Sequence, residues 1–171
     1  LKQISITSSV TSIGNSAFNS CSSLASISFP SSLTSIRDSA FFMCALKQIS
    51  IPSSVTSIGN AAFSLCTSLT QISISSSVTS TGESAFENCS SLTQIYIPSS
   101  VTSIGIKAFY ICSSLTQISI PSSVTSIGYY AFSRLNKGEI FIYVRLLKKL
   151  CKNEKQKIFI LSIFFKVNLL C

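Results

Sequence analysis

The amino-acid sequence predicts an α/β fold rich in β-structure: a right-handed solenoid of parallel strands with one short helical turn per coil. Three observations lead to this prediction. An Ala-Phe pair recurs six times, at an almost constant interval, across residues 1–133. Apolar and polar residues alternate in the segment before each pair, as in a half-buried strand. A repeat of this length cannot bury its apolar face alone, whereas stacked copies can.

The first element of each repeat is a short strand that reads L-x-x-I-x-I. In one copy its apolar positions are Leu69, Ile72 and Ile74, and polar residues occupy the alternate positions. Because side chains alternate across a strand, we expect one face of this element to point inward. A proline or serine follows the strand, and proline cannot donate to a sheet ladder. These residues are Pro30, Pro52, Ser75, Pro98 and Pro121.

The second element is a shorter run that reads V-T-S-I, as at residues 55–58. Glycine follows it in five copies, where we expect a turn that needs the backbone freedom of glycine. These are Gly14, Gly59, Gly82, Gly105 and Gly128. The closing x-x-A-F-x-x-C segment is too short for an independent helix, so it is predicted as one turn of α- or 3₁₀-helix.

The phenylalanine and cysteine of each repeat are predicted to form columns inside the stack. Parallel strands of successive coils lie about 4.8 Å apart. Equivalent side chains therefore pack on one another, and the serines and threonines face outward. The phenylalanines are Phe18, Phe41, Phe63, Phe86, Phe109 and Phe132, and the cysteines are Cys21, Cys44, Cys66, Cys89 and Cys112.

The whole pattern, L-x-x-I-x-I-P-x-x-V-x-x-I-G-x-x-A-F-x-x-C, resembles the 23-residue repeat of the BspA-like leucine-rich-repeat family. The resemblance covers residues 1–133 and implies a leucine-rich-repeat solenoid with parallel strands on one face. It also implies a non-enzymatic adhesion or interaction module that binds a protein or glycoprotein, such as host matrix or another cell surface. The implied location is the cell surface or the extracellular space, although the residues themselves leave a cytoplasmic location open.

Charge is concentrated beyond the repeats. Residues 1–133 have a net charge of +1, and residues 134–171 have a net charge of +7. Phosphate binding needs a basic stripe on the folded surface, and the repeats supply none. The overall charge of +8 is therefore no evidence for a nucleic-acid partner.

Residues 134–171 form a basic, apolar C-terminal tail whose composition differs from that of the repeats, and three interpretations stay open. It is a degenerate cap, with a seventh strand at residues 139–144 and a short basic helix at residues 144–151. Alternatively, it is non-native sequence of the kind that a shifted reading frame produces. As a third interpretation, it contacts a membrane surface, since basic residues beside aromatic ones favour anionic lipid in principle; we expect this least of the three. Its apolar run at residues 158–165 is much shorter than a membrane span.

The chain offers little catalytic or metal-binding chemistry. It contains no histidine, which removes the most frequent general base and metal ligand. A serine nucleophile needs an activating base within reach. The repeat cysteines are separated by a whole repeat, unlike the closely paired ligands of zinc sites. We therefore predict no enzyme activity, no metal and no cofactor, and we interpret the cysteines as small core residues.

Two groups of residues are candidates for binding a partner. The first lies on the open strand face and consists of Gln71, Gln94, Tyr96 and Gln117. The second flanks the Ala-Phe pairs and consists of Lys107, Tyr110, Tyr129 and Tyr130. The glutamines are chosen because they lie on the open strand face, and the second group because its positions vary between copies. Both groups carry tyrosine, which is favoured at interfaces. The alternative to an adhesion module is a truncated or degenerate repeat copy with no independent function.

Overall fold

The computed structural model describes residues 2–135 and the backbone of Phe141–Val144. Within these residues the chain forms a parallel-strand β-solenoid, as predicted. Each coil has three faces, which carry a longer strand, a two-residue strand and a series of turns. The remaining part of the tail, including the segments predicted as a helix and as an apolar run, lies outside the described residues.

The longer strands form the first face. They form two sheets. Strand β1 pairs with β3, and a five-stranded sheet has the order β5-β7-β9-β11-β13. Every pairing is parallel and joins equivalent positions of successive coils. The strands are β1 (Gln3–Ser5), β3 (Ser26–Ser28), β5 (Gln48–Ser50), β7 (Gln71–Ser73), β9 (Gln94–Tyr96), β11 (Gln117–Ile120) and β13 (Phe141–Val144).

The second face is a continuous sheet of six two-residue strands in chain order, again parallel. A threonine precedes each of these strands and is exposed. Several of these threonines donate their hydroxyl to the equivalent carbonyl of the preceding coil, as Thr34 does to Thr11 at 2.9 Å. The strands are β2 (Ser12–Ile13), β4 (Ser35–Ile36), β6 (Ser57–Ile58), β8 (Ser80–Thr81), β10 (Ser103–Ile104) and β12 (Ser126–Ile127).

The third face is built of turns, and the predicted helical turn is wrong. In the fifth coil the amide of Phe109 donates to Ala131 of the next coil at 2.8 Å, whereas its neighbour Tyr110 donates within the coil to Lys107 at 3.0 Å. Every second amide is thus directed to the next coil, so no run of amides is left for a helix. Two residues in each coil take a positive φ to allow this, as Lys107 (53°) and Ile111 (58°) do here.

The core consists of columns, as the repeat predicts. The six phenyl rings stack nearly parallel, with centroids 5.2–5.6 Å apart and interplanar angles of 2–9°. Phe41, Phe63, Phe86 and Phe109 are fully buried, whereas Phe18, in the first described coil, is half-buried. The stacked rings therefore form a continuous aromatic column along the axis of the solenoid.

Close approach between coils, and not a positive φ, accounts for the glycines of the third to sixth coils, which corrects the predicted reason; Arg37 occupies the equivalent place in the second coil. None of the glycines in the described coils has a positive φ. A Cβ atom at Gly105 would lie only 2.3 Å from the carbonyl oxygen of Gly82, and similar collisions occur at Gly59, Gly82 and Gly128. At Gly14, where no preceding coil is described, a Cβ would meet nothing within 4 Å. The end of the second face thus packs backbone against backbone.

One irregularity divides the first face. The second repeat is one residue shorter than the others, at Ala45. The pairing of longer strands is interrupted at this coil, between β3 and β5, whereas the two-residue strands β4 and β6 remain paired. A single missing residue therefore interrupts one sheet and leaves the other two faces continuous.

Candidate functional site

The first face presents a column of glutamines. Gln48, Gln71, Gln94 and Gln117 occupy equivalent register positions on four adjacent strands, and all four are exposed. They are held outward because the next residue of each strand is a buried isoleucine. The sequence analysis did not select Gln48, although the Q-I-S-I pattern around it marks the same position. Adjacent strands place these amides about 4.8 Å apart.

Tyr96 lies on the same face, at the end of the strand that begins with Gln94. Its ring is 67% exposed, and its register partners on the neighbouring strands are Ser73 and Ser119. A groove of about 490 Å³ that is open to solvent runs across this part of the face. Its lining includes all four predicted residues of the first group. The complete lining is Gln71, Ile72, Ser73, Ile74, Gln94, Ile95, Tyr96, Gln117 and Ser119.

The second predicted group lies on the third face, in the last two coils. The Lys107 ammonium and the Arg134 guanidinium each lie 5.8 Å from the centre of the Tyr110 ring, within the range of a cation–π contact. Tyr129 and Tyr130 are 63% and 60% exposed. Arg134 was not among the predicted residues, because residues 134–171 were predicted as a tail outside the repeats. Arg134 follows Phe132 by two residues, as Ile111 follows Phe109, and this spacing could have placed it in the sixth repeat.

The cysteine column is structural rather than reactive. Each thiol from the second coil onward donates to the phenylalanine carbonyl of the preceding coil, as Cys66 does to Phe41 at 3.1 Å. Burial raises the pKa of the Cys66 thiol to about 12 and that of Cys112 to about 12. In the part of the chain that the structure describes, the cysteines form no disulfide and no cluster of three metal-ligating residues is found.

The family follows from the repeat and the fold together. The family model of the BspA-type leucine-rich-repeat region matches residues 1–113 and 81–154, with six copies. The chain belongs to this family. The second match extends beyond the sixth coil and includes β13, while the domain boundary at residue 133 remains a prediction. No curated protein shows significant similarity to the chain.

Several solved structures are similar to this BspA-like solenoid. A leucine-rich-repeat protein from Eubacterium ventriosum shares 27% identity over 82% of the chain, with a TM-score of 0.73. The chain spans only 37% of the length of that protein. The T. pallidum leucine-rich-repeat protein is 24% identical, with a TM-score of 0.69, and 98% of this chain aligns with 85% of that one.

A third structure, the pneumococcal vaccine antigen PcpA, is 22% identical over 84% of the chain and 50% of its own length, with a TM-score of 0.62. At this identity, and at that of the T. pallidum protein, the likeness shows the fold alone. Among the residues with described positions, no helix is long and apolar enough to cross a bilayer. The comparisons therefore establish the family and the fold of this chain.

Proposed function

We propose that this BspA-like solenoid is a non-enzymatic interaction or adhesion module of a surface protein, and that it binds a protein or glycoprotein through its first face. The observation that carries the proposal is the exposure of Tyr96 beside the glutamine column. A large aromatic side chain that is 67% exposed on a regular sheet contributes little to the core. Tyrosine offers a large contact area at a low cost in conformational entropy, which suits it to binding.

The scaffold is suited to presenting this face. Ile72, Ile95 and Ile118 follow the exposed glutamines on their strands, and each is at most 5% exposed. Closely packed interiors resist deformation, so the outward side chains keep a fixed spacing. A partner then binds without ordering the backbone of the module, and the cost of ordering a flexible loop is avoided.

The composition of the groove supports a binding role over a catalytic one. Its polar side chains are those of Gln71, Ser73, Gln94, Gln117 and Ser119, with the phenol of Tyr96. None of these lining residues is a carboxylate, an amine or an imidazole, so a hydroxyl there has no general base among them. The surface location of the module is inferred from the BspA-like family.

The test measures binding of the full chain to purified mucin, laminin and collagen by biolayer interferometry. We expect Tyr96→Ala to weaken binding at least tenfold, as truncation of an aromatic interface anchor does. Tyr130→Ala is the comparison, because its side chain is similarly exposed on the third face. A loss confined to Tyr130→Ala would move the site to the second group. Binding to none of the three proteins would favour the alternative of a repeat copy without independent function.

A further inference from the structure

We infer that the ligand of the groove around Tyr96 is a neutral oligosaccharide, the glycan of a glycoprotein rather than its polypeptide. The inference rests on the proposed binding role of the first face and assigns its ligand class. Three observations carry it: the groove lining has no charge, its polar groups are amides and hydroxyls, and one aromatic ring is exposed beside them.

The lack of charge in the groove lining restricts the ligand. None of the residues that line the groove is charged. Lys47 directly precedes Gln48 on the first face, but it lies one coil before the groove and is not part of its lining. Sulfated, sialylated or phosphorylated ligands gain much of their affinity from charge-assisted hydrogen bonds, which need a cationic partner. A neutral ligand does not depend on such a cationic partner, so the uncharged lining suits it.

The polar groups match a polyhydroxylated ligand. Each glutamine amide both donates and accepts hydrogen bonds, and so does each serine hydroxyl. Gln71, Gln94 and Gln117 repeat this pair of functions about every 4.8 Å along the solenoid axis. Sugar hydroxyls also donate and accept, and they recur along an oligosaccharide. The repeated hydroxyls of an oligosaccharide therefore find repeated hydrogen-bonding groups on this face.

The aromatic ring supplies the apolar contact. The face of an aromatic ring carries negative charge density and attracts weakly positive C–H groups. One face of a hexose ring presents several C–H groups, so the hexose stacks on Tyr96 while its hydroxyls reach the neighbouring amides. Ser73 and Ser119 are the register partners of Tyr96, and their small side chains leave room on both sides of the ring.

A polypeptide ligand fits this surface less well. Protein-binding hot spots are anchor side chains that fill pockets on the partner surface. Here the groove is open to solvent, and Tyr96 stands 67% exposed beside the serines that are its register partners, so the groove encloses no single side chain of a partner. The groove thus provides a stacking platform with hydrogen-bonding groups around it, rather than a deep apolar cavity for a side chain.

The experiment uses the full chain and saturation-transfer difference NMR. The neutral probes are lacto-N-neotetraose and chitotetraose, and the anionic probes are 3′-sialyllactose and a heparin tetrasaccharide. We expect saturation transfer to the neutral probes, strongest at ring C–H protons. Tyr96→Ala should weaken binding at least tenfold, whereas Tyr96→Phe should retain it within about threefold because the ring face remains.

Lys47→Ala is the matched control and should leave binding of the neutral probes unchanged. The inference is overturned if neither neutral probe binds, or if the anionic probes bind more tightly and depend on Lys47. Enzymatic removal of N- and O-glycans from mucin separates the glycan ligand from the proposed function. Tyr96-dependent binding that survives deglycosylation would refute the glycan and retain the protein-binding role.

Discussion

Replacing Phe86 by alanine tests the aromatic column on which the fold depends. Phe86 is fully buried and stacks on Phe63 at 5.6 Å and on Phe109 at 5.3 Å, so both faces of its ring are covered. A phenyl group that buries on the order of 150 Å² contributes about 4 kcal/mol at roughly 25 cal/mol per Å². We therefore expect Phe86→Ala to lower the free energy of unfolding by about 3–5 kcal/mol, in the range of other Phe→Ala changes.

Phe18→Ala is the matched comparison. Phe18 is half-buried and stacks within the described coils on Phe41, at 5.2 Å. Its replacement should cost about half as much, roughly 1.5–2.5 kcal/mol by the same area argument. Urea unfolding followed by circular dichroism measures both, with the slope compared to verify that the exposed area is unchanged. Equal losses for the two variants, or an unchanged midpoint for Phe86→Ala, would refute the column.

Three further predictions concern glycine and cysteine. Gly105→Ala places a Cβ against the Gly82 carbonyl and should destabilise the chain by about 1–3 kcal/mol. Gly14→Ala meets no neighbouring atom and should change stability by less than about 0.5 kcal/mol. Thermal unfolding measures both variants. Cys66, with its pKa raised to about 12, should resist iodoacetamide at about pH 8 in the native state, while the half-buried Cys21 reacts; mass spectrometry distinguishes them. Because the unfolded thiol ionises near pH 9 and the native one does not, the contribution of Cys66 to stability should be constant below pH 9 and fall between about pH 9 and 12. The difference in urea midpoint between the native chain and Cys66→Ala, followed across this range, measures it.

The sequence predicted the columns because the packing is periodic. Any side chain that recurs with the coil must meet its own copies, so the buried places of Phe63, Phe86 and Phe109 follow from spacing alone. The alignment of Gln71, Gln94 and Gln117 on one face follows from the same spacing. Gln48 was not among the predicted residues, although it lies one full repeat before Gln71 and pairs with it in register.

The errors arose where contacts between coils override local preference. The segment around Phe109 is short enough for a helical turn, but its alternate amides bond to the next coil, and no local pattern encodes this. Gly105 was predicted as a turn residue, but it is glycine because the carbonyl of Gly82, one coil away, leaves no room for a Cβ. Arg134 was placed in the tail because its neighbours change composition there. The ligand-binding role of Tyr96 remains a prediction, since exposure alone is what the fold shows.

The shortened repeat at Ala45 has a consequence for how such surfaces diversify. The shorter coil separates the first face into two sheets, while the stacked phenyl rings run through the same coil without a break. A change of one residue in a connecting segment can thus divide one surface of the solenoid into separate parts while the aromatic column keeps the chain folded. The extent of a continuous outer face and the integrity of the core can therefore change independently.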